Sequence, residues 1–267
     1  MYQYGFKISA LGLSTAFSLV LFCSSKVFAQ GSGAEISDVV YSGSGCPAGT
    51  AGVVISPDGK AVSVLFDRYI MDVNPREAIG VIKAENGGVL PTVGDRRYTV
   101  PGTDDVYRYN APHKIISKDR SCIVRLKMNV PDNVRVKIKT VDLRGYSSVP
   151  EKMRGQIHGG VSYHARGQKP TKVDRELRRF EPGTDEEYIL TYDVSQQTSD
   201  ESWTPCGAKN VAMQISAWGS LRFFVGRAGG ENGGHIDTNG IITLDTLDAT
   251  TEDRGLRIGF ETQACRN

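Results

Sequence analysis

SCIVRLKMNV, residues 121–130, alternates almost without fault. Cys122, Val124, Leu126, Met128 and Val130 share one parity, and Ser121, Arg125, Lys127 and Asn129 the other. Only Ile123 departs from the pattern. A period of two puts successive side chains on opposite faces of a pleated strand, so this stretch has a dry face and a wet one. Past Pro131, Asp132 and Asn133 the alternation resumes, with Val134, Val136 and Ile138 on one side and Arg135, Lys137 and Lys139 on the other. The intervening turn residues predict a hairpin whose outer face is cationic and whose inner face covers a core.

The same reading extends along the chain. Val62, Val64 and Phe66 follow the turn Pro57, Asp58 and Gly59, which predicts a second hairpin over residues 52–67. Val211, Met213, Ile215, Ala217, Leu221, Phe223 and Val225 share a parity that leaves Trp218 and Phe224 on the opposite face. Leu256, Ile258 and Phe260 form a further half-buried strand. Long 3.6-residue periodicity is missing, so the expected fold is all-β, an antiparallel β-sandwich of jelly-roll type. Lysine and arginine at mid-strand on the outward faces argue against a membrane-spanning barrel, which needs an apolar outer band.

Three stretches interrupt the pattern. Residues 74–118 read as an insertion that carries a protruding hairpin, Arg96 to Val100 against Val106 to Tyr109. Residues 171–180 fit either a strand or a short helix with Val173, Leu177 and Phe180 as its stripe. Residues 226–240 are a glycine-rich loop.

Lys7, the apolar stretch over residues 8–23, and Val27, Phe28 and Ala29 form the pattern of a cleaved export leader, residues 1–29. The expected mature unit, residues 30–267, is one secreted or periplasmic domain with no membrane span, because the apolar stretch is shorter than the ~20 residues a spanning helix needs. Cleavage removes Cys23 and leaves Cys46, Cys122, Cys206 and Cys265. An even set in an oxidising compartment favours disulfides, and no C-x-x-C motif points to zinc or thiol redox chemistry. A formal net charge of +2 gives no reason to expect nucleic acid as a partner.

Catalytic and metal signatures are not found, so the sequence suggests no catalytic residue, metal ligand or cofactor. Of the four histidines, His158 and His164 lie six residues apart on one polar parity. In a continuous strand that is ~20 Å, too far for a shared metal or an acid–base pair. His113 and His235 fall in loops, and the fragment from Asp237 to Gly240 reads as a turn. Residues 166–179 are rich in cations, six against two anions, and suit either a solvated face or contact with an anionic polysaccharide. Candidate ligand contacts are Arg97, Tyr98, Tyr107 and Tyr109 on the inserted hairpin, with Trp218. Tyrosine, tryptophan and arginine offer broad contact faces with polar ends, although the same side chains also serve as packing.

The pieces YSGSGCP (41–47), the Cys122 strand, DLRGY (142–146), WTPCG (203–207) and the terminal Cys265 occur in an order that resembles an uncharacterised family of secreted fungal and bacterial proteins, domain of unknown function 4360. The resemblance covers most of residues 36–265 and implies an exported, disulfide-containing β-domain. It carries no activity and no catalytic residues. Chain order and this resemblance together pair Cys46 with Cys122 and Cys206 with Cys265, one of three connectivities four cysteines allow. The expected function is a non-catalytic secreted module that binds an extracellular component such as a glycan. The alternatives are a hydrolase of polysaccharide or peptide, and a structural envelope or matrix protein.

Overall fold

The structure is a computed structural model that describes residues 34–194, 202–225, 238–244 and 255–265. The leader expected over residues 1–29, His235 and most of the glycine-rich loop lie outside the described residues. Among the described residues fourteen strands and one helix follow one another as β1 Glu35–Ser42, β2 Ala51–Ile55, β3 Ala61–Phe66, β4 Ile70–Val73, α1 Pro75–Glu85, β5 Asp95–Thr99, β6 Val106–Asn110, β7 Ile115–Asn129, β8 Val134–Val149, β9 Met153–His164, β10 Thr171–Phe180, β11 Thr184–Asp193, β12 Val211–Phe224, β13 Gly240–Thr243 and β14 Leu256–Ala264. They form two antiparallel seven-stranded sheets. The first runs β10-β9-β12-β7-β6-β5, with β1 also on β7; the second runs β2-β3-β14-β8-β13-β4, with β11 also on β8.

The inner faces of both sheets contribute to one core. Val124, Leu126, Met128, Val161, Ile215 and Phe223 come from the first sheet, and Val64, Phe66, Ile138, Leu143, Ile258 and Phe260 from the second. Burying this apolar surface between two layers is what holds a sandwich together.

The alternation of SCIVRLKMNV survives as strand β7, but the hairpin expected across residues 131–133 does not form. β7 belongs to the first sheet and β8 to the second. Both edges of β7 are occupied, by β12 along its whole length and by β1 and β6 on the other side. The turn therefore carries the chain across the core, and the two apolar faces meet from opposite layers. A register break at Lys139 then shifts the inward parity of β8 from Val136 and Ile138 to Val141 and Leu143.

The β2–β3 and C-terminal strand expectations agree with the structure, Ile55 pairing with Val62 and Leu256 with Val64. Residues 171–180 are a strand, not a helix, paired with β9. Residues 74–118 do not protrude. The β5–β6 hairpin extends the first sheet by pairing with β7, and the preceding segment is helical. That helix is specified locally: Asn74 caps it by accepting from the Glu77 amide, and Pro75 occupies the first turn.

Two disulfides tie loops to the sheets, Cys46–Cys122 with Cα atoms 5.3 Å apart and Cys206–Cys265 at 6.1 Å. The YSGSGCP motif owes its glycines to the first of these. The Gly45 amide donates to the Ser121 carbonyl at 2.8 Å, and a Cβ on Gly43, whose φ is +121°, would strike that same carbonyl. Only glycine lets this loop come close enough to β7 for Cys46 to reach Cys122. In DLRGY, Gly145 leaves room for the Thr243 carbonyl, which accepts from the Tyr188 hydroxyl at 2.5 Å.

Candidate functional site

The outward face of the first sheet collects the polar parity of β7, β9 and β12. Trp218 stands near its middle, opposite Ser121 on β7 and His158 on β9. The His158 and Trp218 rings stack with centroids 5.1 Å apart and planes 29° from parallel. Strand parity explains this. The residues flanking Trp218, Ala217 and Gly219, face the core side, so the indole is directed outward.

Next to this aromatic pair lies a cleft lined by Arg154, Gln156, Arg179, Glu181, Arg222 and Phe224. Gln156 and His158 are two residues apart on one face of β9, about 7 Å, so cleft and aromatic pair are continuous. Each cleft arginine comes from a different strand. Arg154 of β9 and Arg222 of β12 are directly opposed, while Arg179 of β10 pairs with Gln156. Among the described lining residues Glu181 is the only carboxylate, 3.7 Å from Arg154. The Arg154 guanidinium also sits 6.0 Å over the Phe224 ring.

The opposed pair is part of a longer row. Arg97 of β5 faces Arg108 of β6, Arg108 faces Ser117 of β7, Ser117 faces Arg222, and Arg222 faces Arg154. Four of five strands thus place an arginine in one line. Asp95 answers Arg108 through a two-pronged contact at 2.8 and 2.5 Å, and that hydrogen bonding holds the Asp95 carboxyl below the usual carboxylate range. At the far end of the same face a second hollow is lined by Arg125, Lys127, His164, Lys172 and Gln214, with Asp38 on Lys127 at 2.7 Å.

The hairpin candidates divide between the two faces. Arg97 is exposed on the outward face, but Tyr98, Tyr107 and Tyr109 are turned inward and at most 3% exposed. The Tyr107 hydroxyl donates to Glu77 of α1 at 3.0 Å, and the Tyr98 hydroxyl accepts from Asn86 at 3.2 Å. All three rings are buried in the core, Tyr98 and Tyr107 being tied to α1 and its C-cap, and burial raises the Tyr107 hydroxyl above its ordinary range. The pleat that separates Arg97 from the tyrosines places it in line with Arg154 and Arg222, which the sequence reading did not single out. The one signal for the cleft was the cation-rich run over residues 166–179, whose Arg179 lines it.

His158 and His164 lie on one continuous strand whose pairing with β12 runs without a break. Among the described residues no group of histidine, cysteine, aspartate or glutamate is arranged to hold a metal ion, and no helix is long and apolar enough to cross a membrane.

Fold and site together define a disulfide-braced, two-sheet β-sandwich whose first sheet has a basic, aromatic outer face. The chain belongs to the family described as Domain of unknown function (DUF4360), which matches residues 32–82 and 95–265. Residues 83–94, between the matched segments, are a shorter stretch than the insertion expected over 74–118. A relative from Arthroderma benhamiae, described as an uncharacterized secreted protein, is 26% identical over 219 residues, 81% of this chain. The chain spans 66% of that relative's length. The secreted character expected from the leader agrees with this relative. The structure of infectious bursal disease virus Gx strain covers 65% of this chain and 42% of its own at 12% identity, with a TM-score of only 0.14.

Proposed function

We propose that this protein is a secreted, non-catalytic module that binds extracellular carbohydrate on the outward face of its first sheet. The observation that carries this reading is the Trp218–His158 pair on that face, continuous with a cleft of arginine and glutamine side chains. A flat aromatic surface covers the apolar C–H face of a sugar ring, and side-chain donors beside it reach the ring hydroxyls. Hydrolysis of a glycosidic bond calls for two carboxylates flanking the bond, whereas the described cleft lining presents Glu181 against three arginines.

The test is to present the purified, oxidised protein to a glycan panel while following the same glycans for cleavage. Binding without turnover, lost in Trp218→Ala, is the expected result. Turnover of any bound glycan, or binding unaffected by Trp218→Ala, contradicts the reading.

A further inference from the structure

We infer that the ligand is a linear polysaccharide bearing carboxylates, a polyuronate, which lies along β12 from the arginine cleft across Trp218 to the second basic hollow. The inference rests on the carbohydrate reading and adds to it the charge, the length and the direction of the ligand.

Charge is the first argument. Like charges directly opposite on neighbouring strands repel and destabilise a sheet, yet Arg154 and Arg222 are opposed and Arg97 and Arg108 are opposed in the same row. Within the described residues Asp95 answers Arg108 closely, Asp119, opposite Ser220 on the same face, adds its charge to that of Asp95 on Arg108, and Glu181 answers Arg154 loosely, while the hydrogen bond of Arg222 goes to the Ser220 hydroxyl at 3.4 Å. Arg179 lines the same cleft, with no acidic contact among the described residues. Such a cluster is complementary to an anion brought from outside. The residue type suits an oxyanion that accepts two hydrogen bonds. A guanidinium presents a planar fork that meets a carboxylate through two parallel hydrogen bonds, which the point charge of a lysine does not. The net charge of the whole chain is only +2, so the molecule is not generally basic and the attraction is local.

Length is the second. The hollow at Gln214 and the cleft at Arg222 lie on the same parity of one unbroken strand, eight residues or about 26 Å apart. Trp218 sits midway. A single sugar engages one of these stations, and only a polymer engages all three at once. Linking weak contacts along one chain raises affinity through effective concentration without any new contact.

The experiment uses the full chain with its disulfides intact and measures binding, at 0.05 and 0.15 M salt, to polygalacturonate, to its fully methyl-esterified form, to dextran sulfate and to duplex DNA. Polygalacturonate is expected to bind at least tenfold more tightly than the ester, more weakly at the higher salt, and more weakly as it is shortened to a disaccharide. The double variant Arg154→Gln/Arg222→Gln is expected to lose that tenfold preference, while Lys83→Gln on α1 keeps it. Equal binding of acid and ester, with Trp218→Ala weakening both, overturns the inference and leaves the carbohydrate reading standing. Preference for dextran sulfate or DNA over polygalacturonate overturns the choice of carboxylate polymer. Binding to none of the glycans overturns both readings.

Discussion

Arg154 and Arg222 stand directly across from each other on β9 and β12, two exposed guanidinium groups in one register row. In the unliganded protein this is an unfavourable juxtaposition that no residue on either strand offsets fully. It sets function against stability, and replacing either residue should therefore move the two in opposite directions. Arg222→Gln is expected to raise the unfolding free energy by about 0.5 kcal/mol, the scale of a cross-strand charge pair. The same variant is expected to weaken binding of an acidic glycan. Chemical denaturation and a binding titration on one preparation check both.

Trp218 projects from the outward face, so its removal should spare the core. Trp218→Ala is expected to shift the denaturation midpoint little and to weaken glycan binding at least tenfold, about 1.4 kcal/mol. Tyr107→Phe gives the reverse. It deletes the hydroxyl that donates to Glu77, costs about 1 kcal/mol of stability and leaves binding unchanged.

Lys118 is a buried cation on the inner side of β7, held by Asp72 and by Asp105, the latter at 2.9 Å. Arg120 reaches the same Asp105 at 2.5 Å. Burial opposes ionisation of Asp105, yet the hydrogen bonds and charges of Lys118 and Arg120 together hold its carboxyl below its ordinary value. A lowered folded-state value means that the stability it contributes is complete above the unfolded carboxylate value of about 4 and is lost as pH falls through the folded value. Asp105→Asn should cost about 2 kcal/mol at pH 7 and flatten the acid limb of the stability–pH curve below pH 4. Urea melts at pH 7, 4 and 3 give the comparison.

Gly145 is packed so that any Cβ meets the Thr243 carbonyl and the Tyr188 hydroxyl. Gly145→Ala is expected to cost about 3 kcal/mol, the upper end for overpacking a core, and to lower the thermal midpoint accordingly. Removing either disulfide is expected to cost a similar amount, roughly 2–5 kcal/mol. Non-reducing peptide maps should recover Cys46 joined to Cys122 and Cys206 to Cys265.

β7 and β12 were legible because they keep a period of two almost throughout, and that period depends only on which face meets the core, whereas β8 keeps one parity only as far as Ile138. The connection after Val130 was not legible. A turn at Pro131 to Asn133 suits a hairpin and an arch between sheets equally well, and the choice falls to partners hundreds of ångströms of chain away, β12 and β14, which claim the edges of β7 and β8. The same limit applies to the site. Arg154, Arg179 and Arg222 occupy three separate segments and become neighbours only through strand register. The tyrosines of the β5–β6 hairpin showed their parity, but not that α1 would cover that side. Trp218 was legible as an outlier because it is a large aromatic on the polar parity of its strand.

The surface that meets the ligand is reported most directly by backbone amide shift mapping of the labelled protein during titration with oligogalacturonate. The predicted result is perturbation concentrated at the outward positions of β9 and β12, from Gln214 through Trp218 to Arg222 and including His158 and Arg154. Perturbation centred on the second sheet, on β11 or β14, or none at saturating ligand, would contradict it.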